Sequence, residues 1–177
     1  NRGTRPVTIV DRCDHDGVER FGALERLSLR DNNITVITKH LVDQLAAVLL
    51  AGSSSFVDLG GNPITDFTIL VSSAEVCLAW MDIVSAARLP LTRIDVTATF
   101  LQTEGAKRLG TVLGLPGCKV TELEAAANDM KDSGIEILVA GGLPTVKVLN
   151  LQHNEIGARG GRALASILNT SKLQKID

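Results

Sequence analysis

Short apolar phrases recur along the chain at similar intervals. In the complete copies, aliphatic residues occupy offsets 0, 3, 5 and 10, except for Ser54 at offset 0 of the second, and a small polar residue occupies offset 8. The alternation of apolar and polar residues around offsets 3 and 5 is typical of a short β-strand with one buried face. Five copies begin at residues 24, 54, 91, 120 and 146, and a sixth begins at residue 173. This repetition predicts an elongated stack of similar units, because a unit this short cannot bury its apolar face alone.

The polar residue at offset 8 marks the turn that follows each strand. An asparagine amide there can hydrogen-bond backbone groups where the chain leaves the strand. We expect these residues, which are 30, 37, 29 and 26 positions apart, to form a structural ladder: Asn32, Asn62, Thr99, Asn128 and Asn154. The second interval exceeds the repeat period by about eight residues. This excess predicts an insertion within residues 67–88.

The second half of each unit has the apolar spacing of a helix. The helical patterns lie at residues 106–113, 135–142 and 161–168. Leu-Pro pairs precede the next strand at three places, where proline is expected to end the helix. In the inserted region, an apolar stripe predicts a longer helix: Val76, Trp80, Ile83, Val84 and Ala87. We expect Trp80 to pack in the core rather than to serve as an exposed binding anchor.

The phrase LxxLxLxxNxL and the period near 29 resemble the leucine-rich repeat, in its ribonuclease-inhibitor-like class. The resemblance implies an α/β solenoid with a curved parallel sheet on the concave side and helices on the convex side. We expect about five repeats plus a partial one, with boundaries near 24–53, 54–90, 91–119, 120–145, 146–172 and 173–177. Residues 1–23 are expected to form an N-terminal cap with one strand at 7–10.

Composition restricts the partners. The chain of 177 residues has a net charge of −2 and 3% aromatic residues, so we expect no nucleic-acid binding. We find no signal-peptide pattern and no apolar run of membrane-spanning length, and expect no membrane partner. Three scattered cysteines, Cys13, Cys77 and Cys118, fit free thiols in a reducing compartment. This favours an intracellular, cytoplasmic protein.

Asp14-His15-Asp16 is the one cluster with residue types that bind metals. Adjacent residues on an extended segment point to opposite sides, so we interpret this cluster as a solvated loop. The sequence contains no nucleotide-binding glycine motif and no catalytic constellation. We therefore predict a protein without enzymatic activity, metal or cofactor.

One face of the predicted sheet is the candidate binding surface. When offsets 3 and 5 point inward, offsets 2, 4 and 6 face the concave side. The candidate partner-binding residues are Arg26, Phe56, Asp58, Arg93, Asp95, Glu122, Glu124, Asn150 and Gln152. Stacking in register places Asp58, Asp95 and Glu124 side by side, as an acidic strip for a basic or mixed-charge protein segment. Phe56 is then the nearest apolar anchor, and local Arg–Asp compensation on a solvated face is the alternative interpretation.

The predicted function is protein binding, as a scaffold or regulatory part of a larger intracellular protein. The resemblance leaves two alternatives: a GTPase-activating protein of the Ran type, and the repeat sensor portion of an innate-immune receptor. The chain begins without Met and ends within its sixth phrase, which fits a piece of a longer repeat protein. Weak self-association through the strand at 173–177 is a further expectation.

Overall fold

The computed structural model describes residues 26–38, 40–42, 56–69, 74–87, 89–141 and 143–177. Residues 40–42 are helical. The other helices and strands of these ranges are β1 (Arg26–Ser28), β2 (Val36–Ile37), β3 (Phe56–Asp58), β4 (Asp66–Thr68), α1 (Ala74–Ala87), β5 (Arg93–Asp95), α2 (Gln102–Leu113), β6 (Glu122–Glu124), α3 (Lys131–Val139), β7 (Val148–Asn150), α4 (Ala158–Ile167) and β8 (Lys175–Ile176). Strands and helices alternate from β4 onward, as expected for an α/β repeat array.

Six of these strands form one parallel sheet in the order β2-β4-β5-β6-β7-β8. The residues aligned across it are 30, 27, 29, 26 and 27 positions apart: Ile37, Phe67, Ile94, Leu123, Leu149 and Ile176. Because this period is nearly constant, each unit adds one strand to the sheet in the same register as the strand before it. The predicted α/β solenoid is confirmed.

The prediction that the strand at residues 56–58 lies beside the strand at 93–95 in the sheet is wrong. β3 pairs with β1 in a separate two-stranded sheet, and the neighbour of β5 is β4. The reason is that Ile64, Phe67 and Ile69 repeat offsets 0, 3 and 5, and all three are buried. Phe67 lies in β4, 27 positions before its partner Ile94 in β5, so no insertion lies between β4 and β5.

An aliphatic core fills the space between the sheet and the helices. In units three to five, the residues at offsets 0, 3 and 5 are buried: Leu91, Ile94, Val96, Val120, Leu123, Ala125, Val146, Leu149 and Leu151. Neighbouring helices α1 to α4 pack against one another in sequence. Trp80 on α1 is completely buried, between Val76 and Val84 on the same stripe, so its predicted place in the core is confirmed.

Glycine four residues after offset 10 allows each turn to close onto its helix. A Cβ on Gly105 would lie 2.1 Å from the Cβ of Leu101, and one on Gly134 would lie 2.8 Å from the Cβ of Met130. Both glycine amides bond the carbonyl four residues earlier, at Leu101 and Met130. The first turn of the helix is therefore fixed directly onto the last buried residue of the strand phrase.

Several predictions concern residues outside the described ranges. These are the N-terminal cap with its strand at 7–10 and the Asp14-His15-Asp16 cluster. Within the described ranges, no helix combines the length and apolar character needed to span a membrane.

Candidate functional site

The turns that border the sheet are tied together by asparagine side chains. Asn128 Nδ2 donates to the carbonyls of Val96 (2.9 Å) and Ala125 (3.0 Å), thereby bridging two units. Its Oδ1 accepts the backbone N–H of Thr99 (3.1 Å) and of Leu101 (3.2 Å). These bonds hold the turns of adjacent units in a fixed register. The same register fixes the relative positions of the outward-facing side chains on the strands.

The same arrangement recurs at two other positions. Asn154 Oδ1 accepts the N–H groups of Asn128 and Met130, and Asn62 Oδ1 accepts those of Asn32 and Ile34. No hydrogen bond among the described residues joins Asn62 to Thr99, the next predicted member. The shift from β3 to β4 separates the two halves of the ladder.

Two rows of side chains lie on the outer face of the sheet. One row crosses the strands as Asp66, Arg93 and Glu122, and the other as Thr68, Asp95 and Glu124. Ile94 and Leu123, which lie between them along each strand, point into the core. We call the four carboxylates Asp66, Asp95, Glu122 and Glu124 the acidic patch.

Arg93 lies at the centre of the acidic patch. Its Nε donates to Glu122 Oε1 at 2.8 Å, and its Nη2 donates to Asp95 Oδ2 at 2.7 Å. Its Nη1 donates to Thr68 Oγ1 at 3.0 Å and lies 3.5 Å from Asp66 Oδ1. Partial burial opposes the charge of Arg93, but its bonds to Glu122 and Asp95 raise the pKa of the guanidinium above its ordinary value. One cation thus holds three carboxylates in place.

The carboxylates of the patch differ in accessibility. Asp95 is 7% exposed, and its second oxygen accepts the backbone N–H of Thr97 at 3.2 Å. Glu124 is half-buried and forms no ion pair among the described residues. Of the described cations, Lys175 on β8 acts on Glu124 through its charge without forming an ion pair with it.

The face continues across β7 and β8. Val148 and Asn150 are half-buried, and Asn150 Oδ1 accepts the N–H of Gln152 at 3.0 Å. Lys175 hydrogen-bonds Asp177, and this contact raises the pKa of the Lys175 ammonium. From β4 to Asp177, the carboxylates are Asp66, Asp95, Glu122, Glu124 and Asp177, and the cations are Arg93 and Lys175. The face consequently has an excess of negative charge.

Residues 142–165 match the family model described as Leucine Rich repeat. They form a leucine-rich repeat. A domain of such repeats is generally a protein-interaction module and is typically non-catalytic. No curated protein sequence matches the chain.

The leucine-rich-repeat geometry places the predicted site residues in two groups. Arg93, Asp95, Glu122, Glu124 and Asn150 lie on adjacent strands of the six-stranded sheet, with Gln152 just after β7. Arg26, Phe56 and Asp58 lie on β1 and β3, where Arg26 aligns with Phe56. Asp58 is therefore not the neighbour of Asp95, because Thr68 occupies that position.

Sequence reasoning missed Asp66 and Thr68, which take part in the Arg93 network. The signal that could have found them is the phrase Ile64-Phe67-Ile69, which places residues 66 and 68 at offsets 2 and 4. In the described part of the chain, no three His, Cys, Asp or Glu side chains could together hold a metal ion. The arrangement on this face is that of a charged surface with more carboxylates than cations.

Proposed function

We propose that this chain is a non-catalytic protein-binding module whose outer sheet face receives a basic segment of a partner protein. The observation that carries the proposal is the acidic patch, in which one arginine is shared by three carboxylates while Glu124 forms no direct ion pair in the part of the chain that the structure describes. Complementary charge steers a partner onto such a face and fixes its orientation.

The Arg93 network favours a cationic partner over an anionic one. Its guanidinium donates to Glu122, Asp95 and Thr68, which leaves little donor capacity for an external anion. An incoming phosphate or carboxylate would also approach the remaining negative charge of the patch. A lysine or arginine would instead be attracted to Glu124 and to the outer oxygens of Asp66 and Glu122.

We further propose that the module is a scaffold or regulatory part of a larger intracellular protein of the ribonuclease-inhibitor-like class. The class is supported by the helices that follow β5, β6 and β7 directly. The intracellular location is supported by Cys77 and Cys118, which are free thiols. Free cysteines are typical of reducing compartments.

Binding of a short arginine-rich peptide tests the proposed charge recognition. We expect the peptide to bind the chain, and its affinity to fall as salt increases from about 50 to 300 mM. Replacing Glu124 with Gln is expected to weaken binding by about 2- to 5-fold, as for loss of one partly screened charge pair. A glutamate-rich peptide of the same length should not bind.

Glu75→Gln is the matched control. Glu75 is exposed in the first turn of α1, away from the sheet face, and its replacement removes the same charge. Equal losses in the two variants would show that net charge alone attracts the peptide. That result, or the absence of binding, would contradict the proposal.

A further inference from the structure

Phe100 is an exposed aromatic residue in the part of the chain that follows a strand of the charged face. It lies in the turn between β5 and α2, and it is 68% exposed. Among the large apolar residues of the described ranges that are exposed, it has the greatest exposed fraction. Its φ is 54°, in the left-handed region.

The fold does not require an aromatic residue at this position. A left-handed conformation is unfavourable for residues with a bulky side chain and is best tolerated by Asn, Asp and Gly. The equivalent turn positions of units one, four and five are also left-handed and are polar: Asn33, Asp129 and Glu155. In unit two this position is Pro63, so no unit other than the third has a large apolar side chain in a left-handed conformation there. Phe100 therefore combines backbone strain with an apolar surface in water, and neither stabilises the solenoid.

The turn that contains Phe100 leaves β5, a strand of the acidic patch. Ala98 N–H donates to the Ala126 carbonyl at 2.9 Å, and Gln102 N–H donates to the Asn128 carbonyl at 2.8 Å. These bonds stack the turn of unit three onto that of unit four, so Phe100 and Asp129 occupy equivalent positions in neighbouring turns. Phe100 follows Asp95 by five residues, a distance of at most about 18 Å along the chain.

We propose that Phe100 is the apolar anchor for the partner segment that binds the acidic patch. The segment carries a basic residue for Glu124 and an apolar residue for Phe100. Glu124 lies one strand from Asp95, so the two residues of the segment are separated by no more than about seven positions when extended. This inference rests on the proposed function. It assigns to Phe100 the role that the sequence suggested for Phe56.

The partner chemistry follows from the combination of the two features. An exposed aromatic side chain contributes a large apolar contact area at small cost in side-chain entropy. The adjacent carboxylates favour a cation and disfavour an acidic apolar segment. A protein segment with basic and apolar residues can contact both the acidic patch and Phe100, whereas a purely basic segment can contact only the acidic patch favourably.

Selection from a displayed library of random peptides on the immobilised 177-residue chain tests the inference. We expect enriched peptides to contain a basic residue and an apolar residue at most about seven positions apart. One enriched peptide is then measured against the wild type and two variants. We expect Phe100→Ala to weaken it about 30-fold, as for truncation of an anchor, and the control Leu168→Ala to have no effect.

Leu168 is a matched control because it is also apolar and half-exposed, but follows α4. Basic peptides that contain no fixed apolar residue and bind Phe100→Ala normally would overturn the inference while leaving the proposed function intact. Enrichment without basic residues would overturn both. Self-association that Phe100→Ala abolishes would identify a second copy of the chain as the occupant and also overturn the inference.

A stability measurement separates an anchor from a structural residue. Phe100→Asn replaces a strained residue with one that accepts positive φ. We expect it to melt at the same temperature as the wild type or higher, while losing peptide binding. A lower melting temperature would show that Phe100 supports the fold and would overturn its assignment as a binding residue.

Discussion

The buried side-chain oxygen of Asn128 accepts two hydrogen bonds from Thr99. Asn128 Oδ1 accepts the backbone N–H of Thr99 at 3.1 Å and its hydroxyl at 2.9 Å. The Thr99 hydroxyl also lies 2.7 Å from the Val96 carbonyl. Thr99 therefore hydrogen-bonds the Asn128 side chain of unit four. Because threonine has no side-chain amide, Thr99 cannot make the equivalent pair of bonds to unit two.

Replacing Asn128 with Ala is expected to destabilise the solenoid by about 2–4 kcal/mol. Asn128 is fully buried, and its loss leaves backbone groups of two units without partners, each costing about 1–3 kcal/mol. Asn32→Ala is the control, because Asn32 is half-buried and its side chain bonds the nearby Arg30 carbonyl. We expect it to cost about 1 kcal/mol or less. Equal losses in urea unfolding would contradict this assignment.

The shift between β3 and β4 predicts which cysteine pairs can form disulfides. Thr68 and Asp95 are aligned neighbours in the parallel sheet, so their Cα separation should fall within the range that a disulfide bridges. We expect the double replacement Thr68→Cys with Asp95→Cys to cross-link rapidly on mild oxidation, as read by peptide mass mapping. Preferential cross-linking of Asp58→Cys with Asp95→Cys would restore the original sequence interpretation.

Ile64 explains why the sequence predicted units three to five correctly but not the transition before them. It closes the phrase that begins at Ser54, and it also opens the phrase formed with Phe67 and Ile69. Offsets alone do not reveal which of two overlapping phrases pairs with residues 91–96. Only the period does: 27 residues separate β4 from β5, close to the spacing of the later strands.

The candidate face, like the order of the strands, was predictable from the sequence only in part. Arg93, Asp95, Glu122 and Glu124 follow from alternation within strands whose buried residues are evident in the sequence. Alternation does not specify how a long side chain turns. The convergence of Arg93 on three carboxylates depends on its rotamer and on Asp66, whose strand was not predicted. Phe100 was missed because it occupies an offset with no structural role in the repeat.

The Asp132 carboxylate caps the N-terminus of α4, and this contact should make the stability of the fold depend on pH. Its Oδ1 accepts the N–H of Gly157 at 2.7 Å and of Gly160 at 2.9 Å. The bond from Gly160 is the main reason that the pKa of Asp132 lies below its ordinary value of 3.8. A lowered folded pKa means that the stabilisation is complete above the unfolded pKa and is lost as pH falls through the folded one.

We therefore expect Asp132→Ala to be less stable than the wild type at neutral pH, with the difference shrinking below about pH 4. Asp132→Asn keeps an acceptor but cannot titrate, so its stability difference from Asp132→Ala should change little over that range. Thermal unfolding at several pH values provides the measurement. A wild-type advantage over Asp132→Ala that persists unchanged at the lowest pH would exclude a contribution from the ionised cap.

The two described cysteines are expected to differ in reactivity. Cys77 is buried, and burial raises the pKa of its thiol to about 12, with the hydrogen bond to Thr99 acting in the opposite direction. Cys118 is half-buried. In a Cys13→Ser chain at about pH 8, we expect Cys118 to react with a thiol reagent and Cys77 to react only after unfolding. Rapid modification of both thiols in the folded chain would contradict the packing of α1.

Mapping amide chemical shifts during titration with an arginine-rich peptide tests most directly whether the outer sheet face is the binding surface. We expect the shifts to be concentrated at Arg93–Asp95 and Glu122–Glu124 and to extend to the turn that contains Phe100. The amide shifts of residues on the outer sides of α2 and α3 should remain unchanged. Shifts confined to the helices, or spread evenly over the chain, would contradict this role of the sheet face.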